Sequence, residues 1–137
     1  MGAWGLGAFD NDGAGDFHAD LRNADPARRE AVVREALEAA VEAGDYLEND
    51  FAEAAVAAAA AVAAGRSGGS ITATDSGATL AAADLPSPSA DLVALAHQAL
   101  DRVVGADSEW RELWEEAGDV EFAQVLATVA EIRVALD

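Results

Sequence analysis

Residues 45–65 read DYLENDFAEAAVAAAAAVAAG, and this run indicates a helix at the centre of the fold. We expect the helix to begin near Leu47 and to end at Gly65, since alanine favours helix and glycine commonly ends one. Its second half is apolar all round, which is typical of a helix buried on every side. Its uncharged apolar stretch, from Ala54 to Ala64, is far shorter than the roughly 20 residues that span a bilayer, so it predicts a core helix.

Apolar residues at helical spacing occur on both sides of this run. They predict helices near residues 26–43, 90–104 and 119–136, with shorter helices after Asp12 and after Ser108. N-cap residues and glycine stops mark the boundaries. The expected caps are Asp12, Asp25 before Pro26, Ser89, either Ser108 or Asp107, and Asp119, and the expected stops are Gly44, Gly65 and Gly105. The sequence therefore predicts an all-α fold, an irregular bundle of five to six helices in a single domain spanning residues 1–137.

Two segments lack helical periodicity. Residues 1–13 are rich in glycine, and we expect Trp4 and Phe9 to dock this N-terminal arm onto the core. Residues 66–89 are rich in Gly, Ser, Thr, Asp and Pro, which predicts a long flexible loop. Ile71 is β-prone, but a short strand there has no visible partner elsewhere in the chain.

The composition is strongly acidic. The chain has 26 Asp and Glu residues against 8 Arg and no Lys, a net charge of −18. Phosphate backbones and anionic lipids require clustered cations, so nucleic acid and membrane are excluded as partners and a basic protein is the expected one. The absence of cysteine excludes disulfides, thiolate zinc sites and a cysteine nucleophile. The opening residues do not form a signal peptide, so we expect a cytoplasmic location.

The segment DNDGAGDFHAD, residues 10–20, concentrates four carboxylates and an imidazole, contributed by Asp10, Asp12, Asp16, Asp20 and His18. A calcium loop does not fit, because Ala8 and Ala19 stand where the first and the bidentate ligands belong. A transition-metal site needs a second nitrogen, and His97 is the only other histidine. The simpler interpretation has Asp12 capping a helix, with Asp16 and Asp20 in solvent. We therefore expect no metal and no cofactor.

Two other motifs allow a chemical interpretation. The N-terminal glycines are not followed by Lys and no strand precedes them, so they do not predict a phosphate-binding loop. Asp107, Ser108 and Glu109 place a hydroxyl between acids, but no histidine is positioned to activate it, and a helix cap explains them better. Trp110 and Trp114 are expected to anchor the core or an interface. No catalytic residue is assigned.

Three stretches together resemble a known family: MGAWGLGAFDNDGAGDF at residues 1–17, DYLENDFAEAAVAAAAAVAA at 45–64 and ALDRVVGADSEWRELWEE at 99–116. They are similar to an uncharacterised family of small bacterial and archaeal proteins, a domain of unknown function. The resemblance implies a mainly helical domain and no particular activity. The positions that match its pattern are Trp4, Gly5, Phe9, Asn11, Asp12, Asp16, Asp107, Ser108, Glu109 and Trp114.

Two classes of function are compatible with these observations. The first is a non-catalytic acidic interaction protein that covers a basic partner, in the manner of an inhibitor or immunity protein. The second is a metal-dependent hydrolase that uses the N-terminal carboxylates with His18 or His97. The sequence leaves the oligomeric state open.

We predict that the purified protein shows no tight, stoichiometric binding of divalent cations, because Asp10 and Asp12 precede the helix that carries Asp16 and Asp20. Calorimetry at moderate salt checks this, since a net charge of −18 attracts any cation weakly and salt screens that attraction. Stoichiometric binding that disappears in Asp12→Asn or His18→Ala would overturn the prediction.

Overall fold

The computed structural model describes residues 7–137, and within them six α-helices form an irregular bundle, as the sequence predicts. A two-stranded antiparallel hairpin lies between the third and fourth helices. The helices are α1 (Asp12–Asn23), α2 (Arg29–Val41), α3 (Asn49–Ser67), α4 (Ala90–Val104), α5 (Glu109–Ala117) and α6 (Asp119–Leu136). The strands are β1 (Ser70–Thr72) and β2 (Thr79–Ala81), and 3-10 turns cover Pro26–Arg28 and Ala82–Asp84.

Helix α3 lies at the centre of the bundle. Helices α1, α2, α4 and α6 all pack against it, and most of its residues from Ala52 to Ala64 are buried. Its alanine side chains let the neighbouring backbones approach closely, whereas larger side chains would hold them apart. The prediction of a central buried helix is confirmed.

The ends of α3 differ from the prediction. The helix begins at Asn49 rather than Leu47, since the backbone of Leu47 pairs with the segment around Ser108. It continues past Gly65 to Ser67 and ends where Gly68 adopts a left-handed φ of 77°. Gly65 lies inside the helix, and the chain reverses only at Gly68, because a left-handed residue with positive φ forms this kind of cap.

Two predicted caps are also wrong, and a third is only partly as expected. The N-cap of α1 is Asn11, whose Oδ1 accepts a hydrogen bond from the Ala14 backbone N–H at 2.8 Å, so Asp12 is the first helical residue. Asp25 is the N-cap of the Pro26–Arg28 turn that leads into α2, with Pro26 after it as predicted, but its side chain forms no cap hydrogen bond. Asp119 is the first residue of α6, after Gly118. Ser89 caps α4 as predicted, and its Oγ accepts from the Leu92 backbone N–H at 3.1 Å.

The predicted loop at 66–89 is partly ordered, which corrects the expectation that a strand there lacks a partner. The partner comes from the same segment, because Ile71 of β1 pairs with Leu80 of β2. Both side chains are buried in the main core, while their strand neighbours are exposed. Burial on one face therefore stabilises a hairpin that would not persist alone.

No helix in residues 7–137 has the length and apolar character needed to cross a membrane.

We predict that Gly13→Ala destabilises the protein, because a Cβ there would lie 2.7 Å from Glu53 Cβ and 3.0 Å from the Asp50 carbonyl oxygen. Such overpacking costs about 1–3 kcal/mol, measurable as a lower free energy of unfolding in urea. Gly15→Ala on the same helix is the matched control, since its closest neighbour is the Asp75 carboxylate, which can rotate away. The control is expected to be neutral or stabilising, and equal losses in both variants would contradict the packing explanation.

Candidate functional site

The segment before α1 is held by its aromatic and acidic side chains. Phe9 is buried, as predicted, with its ring edge-to-face against His18 at a centroid distance of 5.8 Å. Asp10 accepts from the Gly7 backbone N–H at 2.9 Å and from the Thr74 hydroxyl at 2.8 Å. These contacts join the N-terminal segment to the hairpin turn. The expected docking of Trp4 lies outside the described residues.

His18 is fully buried, and both of its ring nitrogens have partners. Nε2 lies 3.2 Å from the Ile71 carbonyl oxygen, and Nδ1 lies 3.1 Å from an Arg22 guanidinium nitrogen. Because a carbonyl only accepts and a guanidinium only donates, the ring is neutral, with its proton on Nε2. His18 therefore links α1 to β1, and the lone pair on its Nδ1 accepts a hydrogen bond from Arg22.

His97 makes separate contacts, to Asp137 at 3.1 Å and to Arg133 at 3.3 Å, so the two histidines do not share a site. Within residues 7–137, no group of three or more carboxylate or imidazole side chains is arranged to hold a metal ion.

The Asp107–Ser108–Glu109 segment joins the start of α3 to the start of α5. The backbone N–H of Leu47 donates to the Asp107 carbonyl oxygen, and the N–H of Glu109 donates to the Leu47 carbonyl oxygen, both at 2.9 Å. Ser108 is buried and its Oγ accepts from the Arg111 N–H at 3.4 Å, so it caps α5 as predicted. Glu109 caps α3, since Oε1 accepts from the Asn49 N–H at 2.8 Å.

The tryptophans of this region belong to the core. Trp110 and Trp114 of α5 are both buried, as the prediction of core or interface anchors allows. In the preceding segment, the Glu109 carboxylate and the Ser108 hydroxyl are occupied in capping, and Asp107 contributes its backbone carbonyl to the Leu47 N–H. Its residues therefore fix the scaffold and offer no activated nucleophile.

Glu53 is a buried carboxyl that sequence analysis missed. It lies on α3 with only 3 % of its surface exposed, and Oε1 accepts from the Gly13 backbone N–H at 3.2 Å, at the first turn of α1. Burial raises the pKa of Glu53 from 4.5 to about 7, although hydrogen bonds from Gly13 and Asn49 act to lower it. In the sequence, the one indication of this buried carboxyl was a single acidic residue at the start of the alanine-rich run.

A groove with an apolar floor lies between α1 and α2, over α3, and encloses about 720 Å³. Each helix contributes one stripe of side chains at helical spacing. The apolar lining is Phe17, Val32, Ala36, Ala39, Phe51 and Ala54, and the acidic lining is Asp12, Asp16, Asp20, Glu35 and Asp50. Phe51 is 50 % exposed, which is unusual for so large an apolar side chain.

The groove has a negative potential because, among residues 7–137, it is lined by five carboxylates and by no arginine or histidine. The ion pairs found within the described residues lie elsewhere, and they join Glu30 to Arg34, Asp137 to His97, Glu115 to Arg111 and Asp101 to Arg133. Several arginines instead bind backbone carbonyls, such as Arg29 at the end of α1. Within the described part of the chain, the carboxylates of the groove therefore have no cationic side chain paired with them.

The structure divides the predicted site residues into two sets. Asp12 and Asp16 line the groove together with Asp20, and all three are exposed. The others belong to the scaffold: Asp10, Asn11, His18, Asp107, Ser108, Glu109 and Trp114. The regular spacing of Asp12, Asp16 and Asp20 was visible in the sequence. The opposite wall, with Glu35, and the exposed Phe51 were missed.

Comparison with known proteins identifies a family. The model of a domain of unknown function, DUF4259, matches residues 2–125. No curated protein matches the chain. No solved structure matches it either.

We predict that ionisation of Glu53 lowers stability. Because its folded pKa of about 7 exceeds the ordinary 4.5, the folded protein retains a proton that the unfolded chain has released between these pH values. Its stabilising contribution is therefore complete below pH 4.5 and is lost as the pH rises through about 7. Urea unfolding at a series of pH values should show this decline in the wild type and a weaker decline in Glu53→Gln. Glu131→Gln, at an exposed position of α6, should keep the wild-type decline, and identical profiles for all three proteins would refute the assignment.

Proposed function

We propose that this chain, which belongs to the DUF4259 family, is a non-catalytic binding protein that docks a cationic segment of a basic protein partner. The observation that carries the proposal is the groove between α1 and α2, where five carboxylates surround an apolar floor. Covering this floor removes apolar surface from water, while cationic side chains of the partner meet the acidic rim.

Charge supports the proposal beyond the groove itself. The net charge of −18 speeds encounter with a basic protein and weakens encounter with acidic ones. A rim of carboxylates adds specificity, since a neutral or acidic segment would bury these charges without compensation. An inhibitor-like or immunity-like role, in which the acidic groove covers a functional basic surface, is one form of this function.

A location in the cytoplasm is part of the proposal. It is compatible with a chain that contains no cysteine, because small secreted domains commonly rely on disulfides.

The alternative, a metal-dependent hydrolase, is not favoured by the geometry. Both ring nitrogens of His18 are engaged in hydrogen bonds inside the core, and Asp10 is bound to Thr74 and to Gly7. The carboxylates that do face a common space lie along the groove, where no imidazole joins them.

Two triple variants of equal charge test the proposal. Asp16→Asn, Asp20→Asn and Glu35→Gln neutralise three of the five groove carboxylates, whereas Asp45→Asn, Glu116→Gln and Glu131→Gln neutralise three exposed acids elsewhere. Affinity capture from native lysate should retain a basic protein on the wild type and on the control variant, but not on the groove variant. With the purified partner, the groove variant is expected to bind about tenfold or more weakly, equivalent to roughly 1.4 kcal/mol.

Equal weakening in both triple variants would mean that net charge alone drives association, and the groove would then lose its proposed role. A partner that is not basic would contradict the proposal as well.

A further inference from the structure

We infer that the segment held in the groove is an α-helix that lies along α1, with cationic residues at positions i, i+4 and i+8 and an apolar stripe beside them. This inference rests on the proposed function and adds the conformation and the side-chain pattern of the bound segment. It follows from the helical walls of the groove, the small residues that line it and the spacing of its carboxylates.

The walls leave space for another helix. Helices α1 and α2 both pack along α3 but touch each other much less, so they diverge above it. The surface between them includes Ala36, Ala39 and Ala54, whose small side chains permit close approach. Helices pack with axes 8–10 Å apart, and small residues at the contact favour the shorter distances. An added helix would therefore continue the packing already present around α3.

The backbone chemistry of the groove favours a helix over an extended segment. All three elements that line it are α-helices, whose interior N–H and C=O groups are already paired within each helix. An extended peptide needs a strand edge to satisfy its own backbone, and the hairpin strands are not part of the lining. A helix pairs its backbone N–H and C=O groups internally, so it can be buried against the apolar floor without leaving these groups unpaired.

The spacing of the carboxylates matches such a helix. Asp12, Asp16 and Asp20 are each four residues apart on α1, which places successive carboxylates about 6 Å apart along one rim. Arg or Lys residues at i, i+4 and i+8 of a helix lying alongside α1 repeat at the same distance of about 6 Å. Glu35 and Asp50 supply negative charge on the other side of the floor.

Phe51 indicates where the apolar stripe of the bound helix contacts the floor. Its ring is half exposed beside Ala54 and completes the apolar lining between the acidic residues. Aromatic side chains surrounded by a polar rim dominate the energy of many protein interfaces. Removing this ring should therefore weaken the binding of an amphipathic helix more than the binding of a purely cationic chain.

Two synthetic peptides of identical composition test the inference. One carries Arg at i, i+4 and i+8 with Leu at i+3, i+7 and i+11, and the other alternates Arg and Leu. Fluorescence anisotropy at about 0.15 M salt, where exposed charges are screened beyond about 8 Å, measures their affinities for the full chain. We expect the helical pattern to bind about tenfold more tightly and to gain helical circular dichroism on binding.

Single variants then locate the bound helix. Asp16→Asn and Phe51→Ala should each weaken binding of the helical peptide about fivefold or more, equivalent to roughly 1 kcal/mol. Glu131→Gln and Val134→Ala are the matched controls on the exposed face of α6 and should leave its affinity unchanged. Oligo-arginine should be insensitive to Phe51→Ala.

The outcomes separate this inference from the function on which it rests. Tighter groove-dependent binding of the alternating peptide would overturn the helix and leave a protein-binding groove in place. Displacement of the helical peptide by spermidine at equal concentration would assign the groove to a small polyamine and overturn both proposals. Binding of both peptides that is insensitive to Asp16→Asn and Phe51→Ala would show a diffuse charge effect and overturn both as well.

Discussion

Close packing against α3 is the constraint on which the rest of the structure depends. Its alanine-rich surface brings four other helices near one axis, and at Gly13 the approach of α1 leaves no space for a side chain. That contact places the first turn of α1 over the buried carboxyl of Glu53, which accepts the Gly13 N–H. The same packing holds α1 and α2 apart above α3, so the groove is a direct consequence of how the small residues are distributed.

The few cations of the chain are used mainly inside the fold. Arg29 binds carbonyls at the end of α1, Arg111 binds the Val104 carbonyl at the end of α4, and Arg22 orients His18. Guanidinium groups suit this role because they supply several fixed donors to the unpaired carbonyls at helix C-termini. The acids are more than three times as numerous, and all of them except Glu53 are partly or fully exposed. The groove is therefore negative because arginines bind backbone carbonyls elsewhere in the fold, whereas carboxylates line the groove.

The family pattern and the groove describe different parts of the molecule. Asp10, Asn11, Asp107, Ser108 and Glu109 are capping and tethering residues, and their polar atoms bind backbone or hydroxyl groups of neighbouring elements. Such residues specify a fold and leave open what it binds. Among the pattern positions that lie within residues 7–137, only Asp12 and Asp16 line the groove. The geometry that supports a binding function is therefore built on a scaffold that the other motif residues hold in place.

Local physical chemistry was sufficient for much of the architecture. Helical periodicity gave the number and approximate position of the helices, the all-round apolar character of residues 54–64 gave the central helix, and Ser89 and Ser108 were recognisable as caps. These features depend on residues within one or two turns of each other. The sequence by itself therefore determined the helices, the cap at Ser89 and the excess of acidic residues over arginine.

Tertiary structure decided what depends on residues distant in sequence. Leu47 leaves the predicted helix because its backbone pairs with Ser108, and β1 is stable because it pairs with β2 and buries Ile71 in the core. The pKa of Glu53 changes because α1 covers its carboxyl and removes it from water. The groove is formed by residues of α1, α2 and α3. Nothing in the sequence indicates that these residues lie near one another, since only packing against α3 places them around the same space.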